Sequence, residues 1–198
     1  EYVEVCKIFD NSLVSAIELN ISCPNVKKGG MEFGNDPEMS ARVVEKCRKA
    51  TTKPLITKLS PNQADIQLNA RLCIEAGTDA LAVINTISGM AIDITKRALV
   101  LGNQAGGLSG PAIKPIALKK VFDVYQVSKK HKIPIMGQGG ISSPEDAIEF
   151  ILAGASTVGV GTALFFDPLV CNKINKGLEK YLTTNTLGDI NALTGGLI

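Results

Sequence analysis

In Ala16-Ile17-Glu18-Leu19-Asn20-Ile21-Ser22-Cys23-Pro24-Asn25, an apolar run passes directly into a polar loop that carries a thiol. Four more short apolar runs end in the same way, in a polar or glycine-rich cluster. This recurrence is typical of parallel strands that end at one edge, where barrel enzymes hold their reactive groups. The chain is therefore predicted to be an α/β enzyme with its site at that edge.

The apolar runs alternate with helical patterns, as βα units on a parallel sheet do. The predicted strands cover residues 17–21, 55–59, 80–84, 133–137 and 157–160. A closed (β/α)8 TIM barrel needs eight such units in about 250 residues. Residues 1–198 are therefore expected to be the C-terminal part of one barrel domain, with the last five units present and about three missing. An open five-stranded sheet is the alternative, although no G-x-G-x-x-G motif follows any run.

Several residues mark where the predicted helices begin and end. Asp36, Asn62 and Ser143 are predicted to cap helix starts, two of them directly before a proline. Gly77 and Gly154 are predicted to end two of these helices. Two further helices are predicted over residues 115–130 and 168–182.

Composition excludes several classes of function. The net charge is +2 and no basic cluster exceeds Lys27-Lys28 or Lys129-Lys130, which argues against nucleic-acid binding. No apolar stretch is long enough to cross a bilayer and none resembles a signal peptide, so no membrane association is expected. The cysteines are odd in number and form no CxxC pair, which favours reduced thiols in a cytoplasmic protein and no metal site. They are Cys6, Cys23, Cys47, Cys73 and Cys171.

Two glycine-rich loops are candidates for phosphate binding. Gly139-Gly140 and Gly161-Thr162 follow the last two strands, which are strands seven and eight when a barrel is counted from its end. Glycine lets the backbone approach an anion closely, and free N–H groups at a helix start can donate to it. The alternative is that these glycines only form tight turns. A third element, residues 106–111, either closes the same pocket or turns the chain into the next helix.

Lys58 and Cys23 are the candidates for chemistry. Lys58 is the only charged residue in its apolar run, which favours a role against an electron-rich ring or a phosphate over snorkelling to solvent. Cys23 lies among polar residues, which favours catalysis over a place in the core. A thiolate can act as a nucleophile or as a base. Because the sole histidine, His131, is expected at the surface of the opposite edge, we interpret Cys23 as a base.

The chain resembles the dihydroorotate dehydrogenase family in motifs that occur in order along nearly its whole length. They are ELNISCPNV (18–26), KLSPN (58–62), INT (84–86), GLSGPAIKP (107–115) and GAS (154–156). Cys23 is similar to the base of class 1 enzymes, whereas the membrane-associated class 2 enzymes carry serine at this position. The loop KKGG (27–30) and residues 109–115 resemble the B type of class 1.

The resemblance implies a barrel that holds FMN and oxidises dihydroorotate to orotate in pyrimidine biosynthesis. Cys23 would take the proton from C5 of the substrate while hydride passes from C6 to N5 of the flavin. The substrate contacts implied are Asn20, Asn85 and Thr86, with Asn25 as a further contact. The cofactor contacts implied are Asn20, Lys58, Ile84, Gly110, Gly139, Gly140, Gly161 and Thr162.

The resemblance also implies partners: a homodimeric core and a second subunit that carries FAD and an iron–sulfur cluster and passes electrons to NAD. The family's first strands, which supply further flavin and substrate contacts, have no counterpart here, and the chain opens at Glu1 rather than methionine. N-terminal truncation is therefore expected. Two other interpretations stay open. One is the pyrimidine-binding barrel of a dihydropyrimidine dehydrogenase, which has a similar Asn-x-Ser-Cys-Pro loop, and the other is a non-catalytic partial barrel that docks to a partner.

Overall fold

A computed structural model describes residues 1–22 and 34–197 of the chain. The strands of this part are β1 (Ile17–Asn20), β2 (Leu55–Leu59), β3 (Ala80–Val83), β4 (Ile87–Gly89), β5 (Ile92–Asp93), β6 (Ala98–Leu99), β7 (Gly106–Leu108), β8 (Ile135–Gln138) and β9 (Thr157–Gly159). The helices of this part are α1 (Tyr2–Asp10), α2 (Pro37–Arg48), α3 (Ile66–Glu75), α4 (Lys114–His131), α5 (Pro144–Leu152) and α6 (Val170–Thr184). Short 3₁₀ turns cover Pro111–Ile113, Thr162–Phe165 and Ile190–Leu193.

Five parallel strands form the central sheet in the order β1-β2-β3-β8-β9. The predicted α/β class is confirmed, and each strand lies within two residues of its predicted range at either end. Each βα unit adds its strand beside that of the unit before it, so the sheet is wound in one direction. A doubly wound sheet, in contrast, reverses its strand order at a switch point.

The two faces of this sheet differ in character. Leu19, Thr57, Leu81 and Ile135 lie in one row of the register, and all four are buried under the helices. Successive side chains of a strand point to opposite faces. The next row therefore faces away from the helices, and it holds Asn20, Lys58, Ala82, Met136 and Thr157. The hydrophobic core thus lies between sheet and helices, and the other face carries the polar side chains Asn20, Lys58 and Thr157 together with Ala82 and Met136.

The helices begin where side-chain caps satisfy their first N–H groups. The Asp36 carboxylate accepts hydrogen bonds from the N–H groups of Glu38 (2.9 Å) and Met39 (3.2 Å), which confirms the predicted start of α2. Ser143 and Asp146 form a capping box at the start of α5. Gly77 and Gly154 follow the ends of α3 and α5 with φ of +100° and +119°, as predicted.

The predicted cap of α3 is wrong. The carboxylate of Asp65, rather than the amide of Asn62, accepts the hydrogen bond from Leu68 N–H (2.9 Å). Asn62 instead connects its own loop to the segment after β3, because its amide donates to the Thr86 carbonyl (3.2 Å) and accepts from Ser88 N–H (2.9 Å). Asn62 therefore stabilises the chain segment that follows β3.

The long connection between β3 and α4 contains antiparallel structure that the sequence analysis did not predict. β4 pairs with β7, and β5 pairs with β6 inside it, so the segment is one hairpin nested in another. Strands of two or three residues are too short to show a period in the sequence. The hairpin returns the chain to the carboxyl edge of the sheet, the edge at which the parallel strands end.

Residues 1–22 and 34–197 contain no helix that is long and apolar enough to cross a membrane. Nor do His, Cys, Asp or Glu side chains of these residues gather in a group of three that could hold a metal ion. Of the cysteines described, Cys6, Cys47 and Cys73 are buried, Cys171 is exposed, and all four are free thiols.

The buried thiols are expected to be unreactive in the folded protein. Burial raises the pKa of the Cys73 thiol to about 12, and burial together with the neighbouring Cys6 thiol raises the pKa of Cys47 to about 12. Since only the thiolate is nucleophilic, iodoacetamide at about pH 8 should label Cys171 and leave Cys47 and Cys73 unmodified until urea is added. Peptide mass spectrometry measures this. Labelling of Cys73 as fast as Cys171 in the folded protein would contradict the packing described.

Candidate functional site

A pocket of about 330 Å³ lies at the carboxyl edge of the sheet. Nine of the residues predicted for the site line it: Lys58, Ile84, Asn85, Thr86, Gly110, Gly139, Gly140, Gly161 and Thr162. They come from the ends of β2, β3, β8 and β9 and from the segment before α4. Because parallel strands end at the same edge, residues distant in sequence meet here.

A hydrogen-bonded cluster that we call the amide end consists of Asn20, Ser22 and Asn85, of which Asn85 lines the pocket. Asn20 does not line the pocket itself, but its side-chain oxygen accepts a hydrogen bond from Asn85 Nδ2 (3.0 Å). The same Asn85 Nδ2 group donates to Ser22 Oγ (2.8 Å). The Ser22 hydroxyl also lies 3.3 Å from the Lys58 carbonyl, to which it can donate. These bonds join the ends of β1, β2 and β3.

Cys23 and Asn25 lie outside the described residues, but the residues on either side of positions 23–33 are described. A Cβ atom on Gly34 would lie 2.9 Å from the Ile21 carbonyl oxygen and 3.0 Å from Ser22 Cα, so the two flanks are in contact. The buried Asn69 side chain donates to the Gly34 carbonyl (3.2 Å) and to Gln63 Oε1 (2.6 Å). Both flanks of residues 23–33 are therefore held beside the amide end.

Backbone hydrogen bonds fix the residues that follow β3. Ile84 N–H donates to the Gln138 carbonyl (3.1 Å), and Asn85 N–H donates to the Leu59 carbonyl (3.0 Å). The Asn85 side-chain oxygen accepts from Thr86 N–H (2.8 Å). Position 107, which contacts Thr86 in space, must be glycine, because a Cβ on Gly107 would overlap the Thr86 hydroxyl. Ile84, Asn85 and Thr86 thus have one defined placement in the pocket.

A second part of the site, which we call the glycine end, consists of four glycines that line the pocket: Gly110, Gly139, Gly140 and Gly161. The first three have φ of +89°, +130° and +81°, a region that favours glycine. A Cβ atom on Gly140 would lie 2.7 Å from the Gly110 carbonyl oxygen, so these two loops pack backbone against backbone. The Thr162 hydroxyl donates to Ser109 Oγ (2.8 Å) and joins the loop after β9 to the segment before α4.

A second cavity of about 240 Å³ adjoins the glycine end and shares part of its lining. The shared residues are Gly110, Gly140, Gly161 and Thr162. The predicted alternatives for residues 106–111 are therefore both realised: Ser109 and Gly110 line the pocket, and Pro111 begins the turn into α4.

Lys58 is the only charged side chain among the described residues that line the 330 Å³ pocket. Its ammonium lies 3.6 Å from Glu18 Oε1 across the polar face of the sheet. The separation is too long for a strong hydrogen bond, so Glu18 offsets the charge without holding the ammonium in one place. The Lys58 ammonium thus has Glu18 nearby as a counter-charge, and its side chain does not extend into open solvent. His131 ends α4 and is exposed, as predicted.

Five other lining residues were not predicted for the site: Ile113, Gln138, Gly159, Val160 and Phe165. Gln138 could have been found, since it is a polar residue at the end of a strand directly before Gly139. Gly159 could not, because its role depends on a partner: a Cβ there would lie 2.6 Å from Gln138 Nε2. Phe165 is 89% exposed and carries no pattern that marks it.

Comparisons with known proteins show the family of the chain. A family model described as dihydroorotate dehydrogenase matches residues 1–182. The chain is 53% identical over 198 residues to a protein of Trichlorobacter lovleyi, and 56% identical over 182 residues to one of Desulforamulus reducens. Both relatives are named dihydroorotate dehydrogenase B (NAD(+)), catalytic subunit.

The first of these alignments covers all of the chain and 64% of the relative, and the second covers 92% of the chain and 59% of the relative. The chain thus spans slightly less than two thirds of the length of these relatives. Since the family model matches most of the chain, the chain belongs to the dihydroorotate dehydrogenase family.

Proposed function

We propose that this chain is part of a flavin-dependent oxidoreductase that converts dihydroorotate to orotate in pyrimidine biosynthesis. The observation that carries the proposal is one pocket whose lining combines the Asn85 side-chain amide, hydrogen-bonded to Asn20, with the glycines Gly110, Gly139, Gly140 and Gly161. Amides suit a planar ring rich in carbonyl and N–H groups, and a glycine cradle suits a phosphate. The relatives' names support the same reaction.

The residues of the pocket fit FMN as cofactor. At the glycine end, Gly139, Gly140 and Gly161 would hold the phosphate, because no side chain there prevents backbone N–H groups from approaching it. Ile84, Gly110 and Thr162 would line the remainder of the cofactor. When bound, FMN supplies the acceptor for the hydride that leaves C6 of the substrate.

The chain's own side chains would orient the substrate and handle its proton. Asn20, Asn85 and Thr86 would bind the pyrimidine ring or its carboxylate, and their mutual hydrogen bonds would hold them in place before the substrate arrives. Lys58 would stabilise negative charge that develops in the pocket, since Glu18 offsets its charge only in part. Cys23, which follows the anchored Ser22, would remove the C5 proton, and Asn25 would add a substrate contact.

The finer architecture is also part of the proposal. A sheet wound in one direction, with helices on one face, supports a (β/α)8 barrel in which these are the last five units and residues 1–198 form the C-terminal part of one FMN-binding domain. A homodimeric core in the cytoplasm, and a partner subunit with FAD and an iron–sulfur cluster that passes electrons to NAD, would complete the enzyme. The words "NAD(+)" and "catalytic subunit" in the relatives' names support such a partner.

The visible spectrum of the complete protein, with any segments that flank this chain, tests the function. It should show oxidised-flavin absorption that dihydroorotate bleaches in the absence of oxygen, because the substrate would reduce the bound cofactor. Bleaching by NADPH, followed by reoxidation with uracil, would instead indicate a dihydropyrimidine dehydrogenase. A colourless protein that takes up no added FMN would leave only the non-catalytic partial barrel.

Cys23→Ser tests the proposed base in the same protein. A serine hydroxyl is a much weaker base than a thiolate, so reduction of the flavin by dihydroorotate should slow by at least about 100-fold. Cys171→Ser, which changes an exposed thiol on α6, is the matched control and should leave the rate unchanged. Stopped-flow absorbance measures both rates. Equal rates for Cys23→Ser and the unaltered enzyme would remove Cys23 from the mechanism.

Gly140→Ala tests the glycine end. The added methyl group would meet the Gly110 carbonyl and the Lys114 backbone at a φ of +81°, so FMN affinity should fall and unfolding free energy should drop by about 1–3 kcal/mol. Gly188→Ala is the control, because a Cβ there meets nothing within 4 Å. Fluorescence titration with FMN and urea denaturation measure the two effects. Unaltered FMN affinity in Gly140→Ala would contradict the proposal that the glycine end holds the phosphate of FMN.

A further inference from the structure

We propose that Lys114 is a positioning residue that, through Asp146 and Glu149, fixes the loop of residues 139–143 at the glycine end without contacting the ligand itself. The inference rests on the proposed flavin function. It adds an ionic cluster behind the cradle that neither the pocket lining nor the relatives' names identify.

The backbone of Lys114 lies directly against the cradle. A Cβ atom on Gly140 would lie 3.0 Å from Lys114 Cβ and 3.1 Å from Lys114 N, at the first residue of α4. The side chain of Lys114 then runs away from the pocket, because Nζ lies 2.6 Å from Asp146 Oδ1 and 2.8 Å from Glu149 Oε2 on α5. One residue thus contacts the loop with its backbone and the next helix with its charge.

Asp146 uses its two oxygens for different tasks. Oδ1 accepts the hydrogen bond from Lys114. Oδ2 accepts from Ser142 N–H (2.8 Å), Ser142 Oγ (3.0 Å) and Ser143 N–H (3.0 Å), which lie at the end of the loop that starts at Gly139. The Asp146 N–H in turn donates to Ser143 Oγ (3.2 Å). The Asp146 carboxylate therefore joins Lys114 to Ser142 and Ser143, at the end of the loop of residues 139–143.

The cluster is charged, and its charge is already balanced. Hydrogen bonds to Asp146 and Glu149 raise the pKa of Lys114 above its usual value. Burial by itself raises the pKa of Asp146, but the hydrogen bonds from Lys114 and Ser142 outweigh it and hold that pKa below its usual value. Two carboxylates face one ammonium, so the cluster offers no net positive charge to a phosphate.

The position of Lys114 agrees with an indirect role. Among the described residues, the lining of both cavities includes Gly110 and Gly140 on either side of Lys114, but not Lys114. The three side chains of the cluster are 26%, 12% and 45% exposed for Lys114, Asp146 and Glu149, so the central pair is largely screened from water. Ion pairs of this kind hold geometry more effectively than exposed pairs do.

Asp146→Asn separates positioning from direct contact, because the two roles predict opposite results. If Lys114 only positions the loop, Asp146→Asn and Lys114→Met should each weaken FMN binding by about tenfold, as loss of a supporting residue often does. Both should leave the affinity for riboflavin, which lacks the phosphate, nearly unchanged. If Lys114 were itself a phosphate ligand, Asp146→Asn would release its ammonium and tighten FMN binding, which would overturn the inference.

The measurement is fluorescence titration of the complete apoprotein with FMN and with riboflavin. Lys119→Met is the matched control, since it breaks an exposed ion pair with Asp123 on the same helix, and it should bind both ligands as the unaltered protein does. Glu149→Gln is a milder variant of the cluster and should weaken FMN binding by about twofold. Circular dichroism verifies that each variant is folded.

The outcomes distinguish this inference from the proposed function. If the unaltered protein binds no FMN, the proposed function fails first. If it binds FMN and Lys114→Met matches Lys119→Met, the proposed function stands and the inference fails. Equal losses of FMN and riboflavin affinity would also overturn it, because they would indicate a general structural role.

Discussion

Parallel pairing is the constraint on which the rest of this structure depends. In the ladders of β1, β2, β3, β8 and β9, residues that pair in register point to the same face, and every strand ends at the same edge. One row of the register is buried under helices, and the next row carries Asn20 and Lys58 on the opposite face. The packing that buries one face of the sheet therefore places Asn20 and Lys58 side by side on the other face.

Side-chain hydrogen bonds then convert a shared edge into a defined pocket. Asn85 joins the ends of three strands at the amide end, and Asn62 and Thr86 connect the nested hairpin to the same region. At the glycine end the contacts are between backbones, with Gly140 against Gly110 and Lys114. The lining of the pocket thus combines two different kinds of surface, one with side-chain amides and one with unobstructed peptide groups.

Much of this arrangement could be predicted from the sequence. The features that could not be predicted share one physical reason. Short-range signals were sufficient for the strands, for the cap at Asp36 and for the helix ends at Gly77 and Gly154. The cap of α3 was assigned to Asn62 because the sequence does not show that Asn62 bonds to Thr86 and Ser88 instead. The nested hairpin, the role of Gly159 and the cluster at Lys114 depend on contacts between distant residues, which a single sequence does not contain.

The central claim is that one pocket holds the planar substrate at its amide end and the cofactor phosphate at its glycine end. A crystal structure of the complete protein with FMN and orotate measures this most directly. We expect the phosphate oxygens to accept hydrogen bonds from backbone N–H groups of the loop that contains Gly139 and Gly140, and orotate to contact Asn20 and Asn85. A flavin bound elsewhere, or one with its phosphate at the amide end, would contradict the account.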